Sequence, residues 1–408
     1  MLAPERRTRA DVITAVAIAV VLVIAAVSAW ACSDARGAES ITATEPAQRP
    51  PNADRLPTRP KELWRAPDTA GARVLTSEGA VVTADGGIVT GRDPVTGAEL
   101  WRYRRDLPLC GVESQFGMVI AVYRDDRGCS QTTMLSGQDG RRRTARSSYM
   151  DETVRLSTDG TYVLALGPRR LEVWRSDLVR TLEYGYVDAR VNAKTQPRRG
   201  CALISAASSP SRLAVLERCP NEPANRLTVL DPAPEDNTVP EEFGTHVLDG
   251  PGADSPDARV LAVSDNRIVL YRPGAGGRTS QAPRLTVLDA TGNPLVVHEL
   301  SAPLTAYATT TRIGSAYFVF TGNSVIALHA STFDPMWTAP NTLGGPALMA
   351  GKLLVPVPGA IAALDPATGT EVTRIPVQRK DHDGSPIPIG VLGTTILEQR
   401  GGELVALG

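Results

Sequence analysis

Aromatic residues make up only 5% of this 408-residue chain, histidine occurs four times, and the formal net charge is −1. A balance so close to neutral leaves no global basic field, which argues against nucleic acid as a partner. The histidines, His246, His298, His329 and His382, show none of the spacings of a zinc site. Neither a G-x-S-x-G elbow nor a Gly-rich phosphate loop occurs, so the usual signatures of an esterase and of a nucleotide-binding enzyme are missing. Beyond Lys61 no stretch keeps a 3.6-residue apolar period, and helices there should be rare. Lysine is scarce as well: Lys61, Lys194, Lys352 and Lys380 are four of 43 basic residues, a bias that with abundant alanine points to a GC-rich genome.

What is present begins with one apolar run. Val12–Trp30 is 19 residues without a charge, and at about 1.5 Å per residue a helix of that length spans the hydrocarbon core of a bilayer. Arg6, Arg7 and Arg9 precede it, so the positive-inside bias assigns residues 1–11 to a cytoplasmic tail, 12–31 to a transmembrane helix and the rest to the extracytoplasmic side, the periplasm. The alternative is a cleaved or lipidated leader. Against it, Trp30 stands two residues ahead of Cys32 and no leucine stands three ahead. Residues 32–60, rich in proline, alanine and charge, read as a flexible tether, because they hold too few large apolar side chains to fold alone.

From Lys61 to Gly408 a short β-rich phrase recurs: "GIVTGRD", "TTMLSGQD", "RRLEVWR", "NRLTVLD", "PRLTVLD", "SVIALHA", "AIAALD" and "ELVALG". Aligned on Asp93, Asp139, Arg175, Asp231, Asp289, His329, Asp365 and Gly408, the phrases are separated by 46, 36, 56, 58, 40, 36 and 43 residues, with a mean of 45. That is the length of one four-stranded propeller blade. Ahead of "RLTVLD" stand "ARVLAVS" (Ala258–Ser264) and "RIVLYRP" (Arg267–Pro273), bounded by turn residues, so each interval holds four short strands. The chain therefore reads as all-β, an eight-bladed β-propeller at 61–408, with seven blades as the alternative. Eight third strands are present but only seven are followed by a fourth. The missing one is "KELWRAP", Lys61–Pro67, similar to the "AELWRYR" that follows the first full phrase. It should close the ring beside Glu403–Leu407 and remove the open edge.

"DPVTGAELW", Asp93–Trp101, and "LDPATGTEV", Leu364–Val372, resemble the repeat of the quinoprotein-alcohol-dehydrogenase-like (PQQ-like) β-propellers. The resemblance implies a Thr-Gly turn between third and fourth strands and a tryptophan on the fourth that docks on the next blade. Trp64, Trp101 and Trp337 stand at that place; Thr373 and the shorter "LDATGNPL" depart from it. A quinone-dependent dehydrogenase of the family would carry adjacent cysteines, a Ca²⁺ carboxylate set and a catalytic aspartate. No adjacent cysteines occur, so no catalytic, cofactor-binding or metal residue is assigned.

The five cysteines fit the blade register. Cys110 and Cys129 flank one a–b hairpin and Cys201 and Cys219 another, 19 and 18 residues apart, so each pair should form a disulfide; the alternative is four unrelated buried thiols. Disulfides would place the ring in an oxidising compartment. "KDHDG", Lys380–Gly384, holds two carboxylates but lacks the other ligands of a Ca²⁺ loop and reads as a solvated turn. The basic run "GRRRTARS", Gly140–Ser147, reads as a solvated outer strand, with an anionic lipid or partner as the alternative. Two inserts, Val191–Gly200 and Asp231–Gly244, should map to rim loops.

These features describe a membrane-tethered, non-catalytic binding or scaffold protein of the cell envelope. A narrower reading resembles the polar growth factor A family of mycolate-producing actinobacteria, in architecture, length and the arginine and alanine bias. It implies a glycolipid ligand, trehalose monomycolate, and a lipid-transporter partner. The alternatives are an envelope-assembly scaffold for other proteins and an enzyme whose pocket is built from loops of several blades.

Overall fold

The computed structural model describes residues 8–31, 34–188, 192, 194–274, 281–380, 382 and 384–408. Helix Arg9–Ala31 is long and apolar enough to cross a membrane, and none of its described residues is buried. Its first turn is capped by Thr8, whose hydroxyl accepts the Asp11 amide at 3.2 Å while the Asp11 carboxylate accepts the Thr8 amide at 2.8 Å.

Eight antiparallel sheets follow. With strands a to d counted from the channel outward, blade 1 is Leu75–Ser77, Ala80–Asp85, Ile88–Arg92 and Glu99–Arg105, and blade 2 is Leu109–Gln115, Met118–Asp125, Gly128–Ser136 and Arg142–Ser147. Blades 3 to 7 run from Arg155, Ala202, Arg259, Thr309 and Ala347 to Gly185, Val247, Glu299, Pro340 and Pro376. Blade 8 is Ile389–Leu392, Thr395–Arg400 and Glu403–Leu407, with Glu62–Pro67 as its d strand. The seven-bladed alternative is closed.

Strands b and c are continuous apolar runs such as "AYFVF" and "AIAAL" because both of their faces are covered by neighbouring blades. Strand d has one open side, and its residues are mostly exposed in blades 5 to 7. Buried apolar side chains gather between blades. Among the described residues they form eight clusters, one at each interface, including Val74 and Val81 of blade 1 against Leu397 and Leu404 of blade 8.

Ring closure is antiparallel pairing of Trp64 with Ala406, Arg65 with Val405 and Ala66 with Leu404, with a bulge between Glu62 and Trp64. Lys61 and Gly408 exchange main-chain hydrogen bonds of 2.9 and 3.0 Å. No propensity of either segment alone dictates this; each supplies the other's missing ladder.

The stretch expected to be a flexible tether differs from that expectation. Ala38–Ile41 is a fifth strand on blade 1, pairing Ala38 with Arg105 and Ile41 with Arg102. From there the chain crosses the face made by the a–b and c–d turns as a strap. The Ala43 and Ala47 amides donate to the Asp139 and Gln138 carbonyls at 3.0 and 2.9 Å, and Pro50 sits on Gly393. Ala53 and Leu56 pack on the cluster between blades 7 and 8. Leucine, alanine and proline at these points find apolar partners on the ring that the segment lacks by itself.

A chain starting at Ala38 should fold into a soluble ring, and one starting at Asp68 should aggregate through the bared edge of Glu403–Leu407. A chain starting at Lys61 loses strand Ala38–Ile41 and the strap, and its thermal midpoint should fall below that of the Ala38 form. Equal midpoints would show that the strap adds no stability.

Candidate functional site

Both cysteine pairs are disulfides, Cys110–Cys129 in blade 2 and Cys201–Cys219 in blade 4. At the face formed by the b–c and d–a connections, Cys110–Cys129 ties strand a to the start of strand c and Cys201–Cys219 ties the ends of strands a and b, and both point to an oxidising, extracytoplasmic location. Cys32 lies outside the described residues.

The tryptophans bridge blades. Trp64 Nε1 donates to the Pro94 carbonyl at 3.0 Å, Trp101 Nε1 to Gly137 at 2.9 Å and Trp337 Nε1 to Pro366 at 3.1 Å, each acceptor lying in the c–d turn of the following blade. The turn is built by its aspartate: Asp93 Oδ1 accepts the Val95 and Thr96 amides at 2.9 and 2.8 Å. Its glycine is forced. Gly97 has φ of +73°, and a Cβ there would lie 2.5 Å from Trp64; Gly140, at +71°, would meet Trp101 at 2.7 Å.

Two other docking residues have no sequence signature. At the 4–5 interface Gly244 takes the register position that Trp337 holds in blade 6, and His246, two residues on and so on the same face, fills the space; its Nε2 lies 3.0 Å from the Thr291 carbonyl. At the 2–3 interface Arg146 does this work. It donates to the Leu178 carbonyl at 2.9 Å, stacks 5.3 Å over Trp174 and lies 3.1 Å from the Glu172 carboxylate. The basic run is therefore divided: Arg141, Arg142 and Arg143 are exposed, and Arg146 is partly buried and bonded across the interface.

Each buried glutamate among the described residues has an arginine partner. Glu113 meets Arg73, Glu183 lies 3.2 Å from Arg170, Glu217 lies 3.4 Å from Arg198, and Glu398 lies 2.8 and 2.6 Å from Arg379 and Arg400. Glu172 is bound most heavily, with Arg170 at 2.7 Å, Arg146 at 3.1 Å and Arg180 at 3.3 Å. Burial alone would raise its carboxyl, but the three guanidiniums outweigh burial and hold it below the usual range. Removing one partner from such a pair strands a buried charge, so these are structural commitments.

The four histidines lie on separate blades or connections. Among the described residues, the one group close enough to hold a metal is Cys201, Glu217 and Cys219, and its two sulfurs are bonded to each other. Asp381 and Asp383 of "KDHDG" lie outside the described residues. The two inserts, expected as rim loops, lie at the outer edge of the ring and interlock there. Asn192 Nδ2 donates to Thr238 Oγ1 at 2.9 Å, Gln196 Nε2 to the Thr238 carbonyl at 3.2 Å, and the Glu183 amide to the Asn237 carbonyl at 2.9 Å, which covers part of the outer edge of blade 3.

Beneath the strap a cavity of about 370 Å³ opens at the channel mouth. Arg49, Pro50 and Asn52 roof it, and the a–b turns of blades 1 and 2, with Ser77, Glu78, Gln115 and Phe116, form its wall. Glu78 and Phe116 have φ of 54° and 53°, a left-handed backbone unusual for such side chains. No spacing in the sequence marks these residues, because the cavity is shared by four blades and the strap.

No protein-family profile matches the chain, and no curated protein matches it. Solved structures do. The C-terminal WD40 domain of Sif2 superposes with a TM-score of 0.53 at 9% identity, covering 87% of this chain and 99% of that one. The computationally designed Ika8 protein gives 0.50 at 12%, over 89% and 99%. BamB from Moraxella catarrhalis gives 0.48 at 15%, over 85% and 97%. At these identities the likeness is one of fold. The chain is an eight-bladed β-propeller preceded by an apolar helix.

Asp68 sits at the joint between blades 8 and 1, where its Oδ1 accepts the Ala84 amide at 2.9 Å. Burial pushes its carboxyl up to about 6, against the pull of the Ala84 and Gly71 amides. The folded form therefore keeps its proton after the unfolded form has released it. The resulting stability is complete below about pH 4 and is lost as pH rises through about 6, by roughly 3 kcal/mol for a shift of about two units. Asp68→Asn should flatten this fall, read as the difference in urea-unfolding free energy between the two proteins at pH 4 and pH 7; parallel profiles would contradict it. Separately, Trp101→Ala, at a site with no exposed surface, should cost about 3–5 kcal/mol in urea unfolding. Trp101→Phe, which loses mainly the donor to Gly137, should cost about 1–3.

Proposed function

We propose that this protein is a non-catalytic, membrane-tethered scaffold of the cell envelope, its ring on the extracytoplasmic side and its helix retained as a single-pass anchor. The observation that carries this reading is the shortness of the link. Only residues 32–37 separate the helix end, Ala31, from strand Ala38–Ile41 on blade 1. Seven peptide steps reach at most about 25 Å, so an anchored helix would hold the ring beside the bilayer, where a partner in the same membrane meets it at high effective concentration. The commitment of the buried glutamates to arginines supports the non-catalytic part.

The narrower version rests on the sequence resemblance alone. In it the ring binds trehalose monomycolate and assists its transporter in polar envelope growth, as the polar growth factor A family is read to do. Assembly of other envelope proteins is the second use of the same scaffold.

The test is replacement of the native gene by two variants: one with the helix exchanged for a cleaved secretion signal, and one with about 30 flexible residues inserted between Ala31 and Ala38. Cross-linking from membranes should recover partners with the native chain, fewer with the long link and none with the secreted ring, and growth should follow the same order. Full rescue by the secreted ring would refute tethering.

A further inference from the structure

We propose that the cavity beneath the strap receives an extended peptide of a partner protein and holds it by the main-chain N–H and C=O of one of its residues. The inference deepens the scaffold reading by giving the partner a seat, and it rests on that reading only for the identity of the partner.

Gln115 is the central observation. It is 8% exposed and lines the cavity, and neither its Nε2 nor its Oε1 has a hydrogen-bond partner among the described residues. Ser77, across the same cavity and 5% exposed, leaves its Oγ unpartnered too. Buried polar groups in folded proteins are nearly always satisfied, so a carboxamide idle at both ends marks a place where something else completes the bonding. A carboxamide offers a donor and an acceptor side by side in one plane. Its complement in an extended peptide is the N–H and C=O of a single residue, which belong to successive trans peptide groups and point to the same side of the strand.

Two further features favour a peptide. The same face already receives an extended chain, the strap, through main-chain bonds from Ala43 and Ala47 to the turn of blade 2. At the cavity mouth stand a guanidinium, Arg49, and a carboxylate, Glu78, and among the described residues neither enters an ion pair. Charges of both signs beside an amide-reading floor suit a segment with polar side chains of either sign. The volume lies within the range of small binding sites.

Full-length protein in detergent micelles, probed with acetyl-diglycine N-methylamide by saturation-transfer NMR, tests this directly. The wild type should transfer saturation to the probe, and Gln115→Leu should bind it about tenfold or more weakly. The same variant should keep its thermal midpoint or raise it, because leucine replaces an amide that the fold leaves unpaired. Equal binding by the two proteins, or none by either, overturns the proposal. So does saturation by glucose in place of the diglycine, which would assign the cavity to a polyol. A lower midpoint for Gln115→Leu also counts against it, since the amide would then be bonded within the fold. The assay uses purified protein without a cell, so its failure leaves the tethering result standing.

Discussion

Pairing between Glu62–Pro67 and Glu403–Leu407 is the constraint on which the rest of the ring depends. A blade lacking its outer strand would expose a ladder of unsatisfied amides and carbonyls at the one place where the two ends of the ring meet. It would also loosen Trp64 from the turn of blade 1, and with it the apolar cluster that Val74 and Val81 share with Leu397 and Leu404. Each blade is wedged by two neighbours. The closing strand is therefore the piece that turns seven interfaces into eight.

The interfaces share a cluster of aliphatic side chains but differ in what crosses them. A tryptophan donates to a turn carbonyl at three of them, a histidine ring fills the gap over a glycine at another, and an arginine sandwiched between Trp174 and Glu172 serves at a third kind. Every solution places a flat group with an N–H against the next blade's c–d turn. The geometry of that turn fixes the chemistry required, and several residue types meet it.

Blade number, strand order, closure and both cysteine pairings could be read from the chain, because they repeat or sit at fixed offsets from a repeat. "DPVTGAELW" announces a turn through the acceptor needs of Asp93 and the left-handed place of Gly97, which are local properties. What could not be read is non-local or non-repeating. Arg146 looked like one more exposed cation because Glu172 is 26 residues away in another blade. The strap looked disordered because its apolar partners belong to blades 7 and 8, at the other end of the chain. Gln115 and Ser77 carry no motif, since what distinguishes them is an absence of partners that only three-dimensional packing defines.

Closure by the first strand also sets an order of events during synthesis. Glu62–Pro67 emerges before any blade exists, and its mate, Glu403–Leu407, is about 340 residues further on. At roughly 5–20 residues per second, the strand waits on the order of tens of seconds with its hydrogen-bonding edge open. Through that interval Ala38–Ile41 already has blade 1 to pair with, as soon as Glu99–Arg105 has been made. The early clip on blade 1 thus parks the waiting strand within reach of its late partner, and it shortens the search that completes the ring when the last residues arrive.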